Sequence, residues 1–463
     1  MFDLERVARI TGGAFSGKKV NCSLSGISTD SRNMEPGALF VPLRGERFDG
    51  HDYLSQAVKN GAAACLSEEI IQGLSVPVVR VENTLQALGD LAAAYRLQLH
   101  GPLVAITGSA GKTTTKEMLA GILEQVGPGL KTAGNFNNLI GLPLTLFRLQ
   151  PEHQWAVLEM GTSSLGEIER LTEIAQPSVG LITNIGQAHL ETLHGLDGVS
   201  RAKGELFAGL QGGSAIINLD DERVAKLPVA NRVFKLTYGL AADAQVRAER
   251  VVATSDSLKF ELVFEDQRQP IELNVAGQHN VSNALGAAAV ALVLKVPPEK
   301  IAAGLNNFVP VQGRMNLCPL PCGGLLLDDS YNANPLSVVA ALDVLAGIKG
   351  QGRRVAVLGD MLELGEGAAQ MHVEIGEKAG AVVDMLIGIG DFASAICDGA
   401  AKSLSPEQLV QLADVDAAIN YLHEQQRPGD RILVKGSRGV KLDRLADALR
   451  SAAEELPNGQ QGS

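Results

Sequence analysis

Residues 107–114 read Thr107-Gly108-Ser109-Ala110-Gly111-Lys112-Thr113-Thr114. Glycines there let backbone N–H groups face an anion, and the N-terminus of a following helix adds partial positive charge. Lys112 would neutralise β/γ oxygens, and the Thr113 hydroxyl is a hard ligand for Mg²⁺. This is the chemistry of a loop that cradles ATP, although Ile106 stands where the G-x-x-x-x-G-K-[ST] pattern has its first glycine. Glu159, at the end of the apolar run Ala156-Val157-Leu158, would complete a metal shell beside that loop, or be an exposed strand-end carboxylate. A lone His189 is ordinarily structural, and an isolated Lys203 on a helix is ordinarily a solvated charge.

These side chains need particular elements beneath them. Buried strands are expected at 103–107, 155–160 and 179–183, with helices at 112–125 and 197–210, which makes a parallel sheet whose strand ends carry the ligand. Between 245 and 275 the apolar period falls to two, as in Leu258-Lys259-Phe260-Glu261-Leu262, so an antiparallel flank is expected, followed by a helix at 281–294. Before this unit, short strands at 39–41 and 62–66 and a helix at 84–97 indicate a small α/β domain. After it, strands at 325–327, 355–358, 385–387 and 432–434 indicate a Rossmann-like sheet. The expected division is 1–85, 86–312 and 313–463, all of α/β class, with a disordered polar tail from Asn458.

A chain of 463 residues is too long for one core and suits about three domains. The formal net charge of -12, with no Lys/Arg-rich run, disfavours nucleic acid and anionic membrane surfaces as partners. No basic and apolar leader follows Met1 and no apolar stretch approaches the ~20 residues of a membrane span, so a cytoplasmic protein without membrane insertion is expected. Five scattered cysteines read as buried thiols rather than as disulfides, and Cys318 with Cys322 lacks the companion pair of a zinc site.

Together, Gly111-Lys112-Thr113, Glu159, Thr183-Asn184-Ile185-Gly186 with His189, and Lys203 resemble the central domain of the Mur ligases and folylpolyglutamate synthetases. Arg314 and Asp328-Asp329-Ser330-Tyr331-Asn332-Ala333-Asn334-Pro335 extend the resemblance into the third unit. Four more runs are similar to one branch of the Mur ligase family: Ser28-Thr29-Asp30-Ser31-Arg32, Arg44-Gly45 with Phe48-Asp49-Gly50-His51, Gly134-Asn135-Phe136-Asn137-Asn138, and Leu358-Gly359-Asp360-Met361-Leu362-Glu363-Leu364-Gly365. The resemblance implies an ATP-dependent ligase that activates a carboxylate as an acyl phosphate for attack by an amine. Its implied partners are UDP-N-acetylmuramoyl-tripeptide and D-alanyl-D-alanine, and a monomer is expected.

The same resemblance implies roles. Lys112, His189, Lys203, Asp329 and Asn332 would serve catalysis; Gly108 to Thr114, Asn283, Arg314 and Asp329 would hold ATP. Thr113 and Glu159, with His189 and Lys203, would hold two Mg²⁺, Lys203 as a carbamate. Ser28, Asp30, Ser31, Arg32, Arg44, Asn135, Asn138, Lys435, Ser437 and Arg438 would face substrates. An Asp-Ser turn at Asp30-Ser31 and Asn turns at 135–138 remain alternatives. So do the diaminopimelate- or lysine-adding ligase, although its Asp-Asn-Pro-Arg run is absent and Leu336 follows Asn334-Pro335, and a P-loop switch ATPase, which would not require His189, Lys203, Asp329 or Asn332.

Overall fold

The computed structural model describes residues 2–16, 22–45, 47–321 and 323–451. Cys322 and the polar tail lie outside the described residues. Three sheets follow one another along the chain. The first has five strands in the order Ala14–Ser16, Val78–Arg80, Ala64–Ser67, Leu39–Phe40, Ile27–Ser28. Only the Ala14–Ser16 edge pairs antiparallel; the remaining pairs are parallel. The strand expected at 62–66 begins two residues later, because the Ala62 N–H still closes the turn onto the Ala57 carbonyl of helix Leu54–Lys59, while the Ala63 N–H makes the first contact with the neighbouring chain at the Ala38 carbonyl.

The nine-stranded second sheet carries the phosphate-type loop. Its strand Leu103–Thr107 lies between Val179–Ile182 and Trp155–Glu159, parallel to both, with Ile106 opposite Glu159 and Thr107 opposite Ile182. All five residues of Leu103–Thr107 are buried, which is why this strand reads as a continuous apolar run rather than an alternating one. The expected antiparallel flank is present as Val246–Ala253, Leu258–Phe264 and Gln267–Leu273. Two parallel strands not anticipated from sequence, Ser214–Asn218 and Phe234–Gly239, join that flank to the rest of the sheet.

The expected helices form as Lys112–Leu123, Leu196–Gly209 and His279–Val293. The third sheet has six strands in the order Asn316–Pro319, Leu325–Asp328, Arg431–Lys435, Arg354–Gly359, Met385–Ile389, Leu409–Leu412, antiparallel only at the first pair. Asp328 pairs in register with Val434, so Asp329, just past one strand, and Lys435, the last residue of the other, lie side by side at the carboxyl ends of the strands. Among the described residues no helix is long and apolar enough to cross a membrane.

Candidate functional site

The loop between strand Leu103–Thr107 and helix Lys112–Leu123 depends on two glycines. Gly108 has φ 151° and Gly111 φ 81°, and a Cβ at Gly111 would lie 2.3 Å from Asn283 Oδ1. Residues 183–186 brace this loop. Asn184 Oδ1 accepts the Ala110 N–H (2.8 Å), Thr183 Oγ1 donates to the Ala110 carbonyl (2.6 Å), and Ser109 Oγ accepts the Gly186 N–H (2.9 Å). No side chain caps helix Lys112–Leu123, so its first N–H groups stay available to an anion. Lys112 Nζ folds back onto the Gly108 carbonyl at 2.6 Å, and burial lowers its pKa, partly offset by Glu159.

Glu159 is 3% exposed. Its Oε2 accepts from Thr113 Oγ1 (2.8 Å) and its Oε1 from Asn137 Nδ2 (2.9 Å), while its own N–H donates to Thr132 Oγ1 (3.0 Å). The structure thus brings the predicted Thr113 and Glu159 together and adds Asn137. Predicted Asn138 instead braces the turn that leads into helix Gly141–Leu146, its Oδ1 accepting the N–H groups of Ile140 and Gly141, and Asn135 is exposed. Sequence reasoning singled out the Asn run but not the member that turns inward. It also missed Lys116, 1% exposed on the loop helix, which donates to the Thr132 carbonyl at 2.7 Å.

Lys203 is not the solvated helix charge that its residue type alone suggests. It is 2% exposed and makes no hydrogen bond or ion pair among the described residues. Burial and then the nearby Lys112 push its pKa well below the usual lysine value. His189, with φ 54°, places Nδ1 against the carboxylate of Glu363, which the imidazole holds below its usual pKa.

A cavity of about 400 Å³ opens where the second and third units meet, and nine predicted positions line it: Ser109, Ala110, Gly111, Asn283, Arg314, Asp329, Thr114, Asn332 and Lys435. Lys435 is 2% exposed, donates to Asp329 Oδ2 (2.5 Å) and reaches the Asn332 carbonyl (2.9 Å). Asp329 Oδ1 accepts the Met315 N–H (3.0 Å), which holds the linker turn that carries Arg314. The guanidinium of Arg314 stacks 4.1 Å from the Tyr331 ring centroid. Asn334, absent from the predicted set, caps helix Pro335–Gly347 and also donates to the Ser109 carbonyl at 3.2 Å, joining the two units.

Ser437 and Arg438 lie outside the cavity lining. Ser437 Oγ accepts the Leu362 N–H (2.9 Å), and Arg438 pairs with Asp443 (2.6 Å). In the first unit Asp30, Ser31 and Arg32 line a second pocket of about 430 Å³, flanked by the exposed rings of Phe48 and Tyr53. Arg32 forks onto Asp30 with two 2.9 Å contacts and holds that carboxyl down to about 2. Ser28 lines a separate pocket between the first and second units. Arg44 joins neither group: Asp49, Glu68 and Glu69 surround it at 2.9, 3.4 and 2.8 Å. These carboxylates neutralise the guanidinium and tie the Arg44 loop to the 68–69 segment.

A glycine loop at a helix start, a buried carboxylate on its threonine and a third sheet facing both have the architecture of an amide-forming ligase, and the chain belongs to the Mur ligase family. The family's catalytic domain matches residues 23–96, its middle domain 106–291 and its glutamate ligase domain 313–438. The chain is 39% identical over 456 residues to UDP-N-acetylmuramoyl-tripeptide--D-alanyl-D-alanine ligase of Escherichia coli (strain K12), covering 96% of this chain and 98% of that protein. To the Bacillus subtilis (strain 168) protein of the same name it is 35% identical, covering 92% and 93%. The crystal structure of MurF from Acinetobacter baumannii matches with a TM-score of 0.88 at 35% identity, over 96% of this chain and 98% of that one. MurF of Thermotoga maritima in complex with ADP matches with a TM-score of 0.82 at 28% identity, over 93% and 98%.

Proposed function

We propose that this chain is the ATP-dependent ligase that joins D-alanyl-D-alanine to UDP-N-acetylmuramoyl-tripeptide in cytoplasmic peptidoglycan precursor synthesis, working as a monomer of three domains, 1–85, 86–312 and 313–463. The observation that carries the reading is the juncture at which Asp329 and Lys435 of the third unit meet the Ser109 to Gly111 loop of the second around one cavity. The tripeptide carboxylate takes the γ-phosphoryl group, giving ADP and an acyl phosphate. The dipeptide amine, neutral and so nucleophilic, then displaces phosphate and forms the amide.

The residues position rather than react. Gly108, Ser109, Ala110, Gly111 and Thr114 hold phosphate oxygens and Lys112 neutralises them. Asn283 meets the adenine, Arg314 and Asp329 the ribose and phosphates, and Asn332 and Lys435 keep Asp329 in place. Closure of the third unit, through Asn334 on Ser109 and Leu336 against Gly186, excludes water that would hydrolyse the acyl phosphate. Asp30, Ser31 and Arg32 take the uridine end, with Phe48 and Tyr53 available to stack.

The residues fit Mg²⁺: Thr113 and Glu159 offer hard oxygens at one point, while a buried Lys203 with no partner among the described residues suits a neutral amine. That amine would add CO₂ and release a proton, becoming an anionic carbamate that holds a second ion with His189. Two Mg²⁺ would spread charge on the transferring phosphoryl group.

The test is a coupled ATP-turnover assay with UDP-tripeptide and a panel of amines. D-alanyl-D-alanine should support turnover with ADP and phosphate as products. Turnover with free diaminopimelate or lysine instead would transfer the assignment to that ligase, and AMP with pyrophosphate would exclude an acyl phosphate.

A further inference from the structure

The run 358–365 follows strand Arg354–Gly359 and has no part in the chemistry derived so far, yet Glu363 crosses from the third unit to His189 Nδ1 of the second. Both residues are left-handed without being glycine, with φ 63° and 54°. Such backbone is costly for ordinary side chains and persists where the surroundings impose it. The surroundings here are specific. Met361 N–H donates to His372 Nε2 (2.8 Å), Leu362 N–H to Ser437 Oγ (2.9 Å), and Ser437 N–H to the Asp360 carbonyl (2.9 Å). Ser437 lies two residues beyond Lys435, which holds Asp329. The Glu363 loop is therefore fastened to the strand end that serves the nucleotide cavity. On the other side, Glu191 N–H donates to the Glu363 carbonyl at 3.2 Å.

The pair is too wet to be explained by stability. The side chains are 32% and 53% exposed, and ion pairs so placed contribute little to folding. Its chemistry lies in what it does to the ring. Glu363 Oε2 lies against Nδ1, which makes no aligned hydrogen bond among the described residues, so the contact acts through charge: a carboxylate there repels a ring lone pair and favours the proton on Nδ1, leaving the Nε2 lone pair free. A carboxylate behind one ring nitrogen is the arrangement found behind most cation-binding histidines. We propose that Glu363 is a positioning residue that arrives with the third unit, fixes His189 as the Nδ1–H tautomer and so prepares Nε2 for the second cation. This rests on the assignment of His189 to that cation under Proposed function. It links closure to cation binding: whatever favours the closed unit strengthens the site, and the bound cation favours closure.

The experiment uses the full chain and Mn²⁺ as probe, free Mn²⁺ being counted by electron paramagnetic resonance with a non-hydrolysable ATP analogue present. Glu363→Gln keeps the shape and removes the charge. It should weaken the looser of two Mn²⁺ sites about tenfold or more, the effect of removing such an outer partner. The Mg²⁺ needed for half-maximal turnover should rise in parallel, while KM for ATP at saturating Mg²⁺ stays unchanged. His189→Ala should weaken the same Mn²⁺ at least as much. If His189→Ala weakens it and Glu363→Gln does not, the positioning role is wrong and the cation assignment stands. If His189→Ala leaves both Mn²⁺ sites intact, the assignment of His189 fails and the proposal falls with it.

Discussion

Replacing Lys203 by Met removes the charge while retaining most of the side-chain volume, so it separates electrostatics from packing. Lys203 is 2% exposed, has no hydrogen-bond or ion-pair partner among the described residues and faces the like charge of Lys112. Its folded pKa is lowered, whereas the unfolded chain has the ordinary value of about 10.4. Between those two values the unfolded state binds one proton more than the folded state, and stability contributed by this group rises with pH. The slope is at most about 1.4 kcal/mol per pH unit. For a unit of the size of the nine-stranded domain, about 2–4 °C of Tm follows each kcal/mol. In CO₂-free buffer Lys203→Met should therefore melt above the unsubstituted protein at pH values below the ordinary lysine value, with the gap closing as pH rises towards that value, by at most about 5 °C per unit. Differential scanning fluorimetry of both proteins measures this. Added bicarbonate should raise the Tm of the unsubstituted protein alone, and Lys203→Ala, inactive, should regain turnover with a short added carboxylate. Parallel Tm–pH curves would refute the reasoning, because they would mean that folding leaves the Lys203 amine as easily protonated as before.

Gly111→Ala should abolish nucleotide binding, measured by calorimetry with ADP, because its Cβ would sit 2.3 Å from Asn283 Oδ1 at a φ of 81° that alanine disfavours. The two neighbouring asparagines should part company. Asn138→Ala should cost about 1 kcal/mol in melting experiments through loss of its hydrogen bonds to two backbone N–H groups, with its Mg²⁺ dependence unchanged. Asn137→Ala should instead raise the Mg²⁺ required for turnover, because it leaves Glu159 Oε1 without its donor.

How far the sequence was legible follows from what kind of signal each element carries. The phosphate-type loop is local: eight consecutive residues contain its glycines, its lysine and its helix start, and the flanking strand is apolar throughout because both of its faces are covered. The antiparallel flank was legible from its period of two. Strands Ser214–Asn218 and Phe234–Gly239 were not, since a run as short as Ser-Ala-Ile-Ile-Asn fits a buried strand or a helix turn equally well until its neighbours are known.

Side-chain direction was the harder quantity. Residue type placed Arg44 among the cations for an anionic substrate, but three carboxylates from two separate segments neutralise it, a fact carried by tertiary folding alone. Residue type placed Lys203 at the surface by default, and only the co-occurrence of Lys112, Glu159 and His189 argued for the interior, where burial is observed. Asn135, Asn137 and Asn138 share one chemistry within four residues, and the turn alone decides which of them meets Glu159. The same holds for Glu363, whose ring contact lies 174 positions away in sequence, from Glu363 minus His189. No spacing rule connects two loops of different domains. What the sequence does carry is the chemistry each loop needs, and the juncture of the units sets Asp329 and Lys435 across one cavity from Ser109, Ala110 and Gly111, and Glu363 against His189.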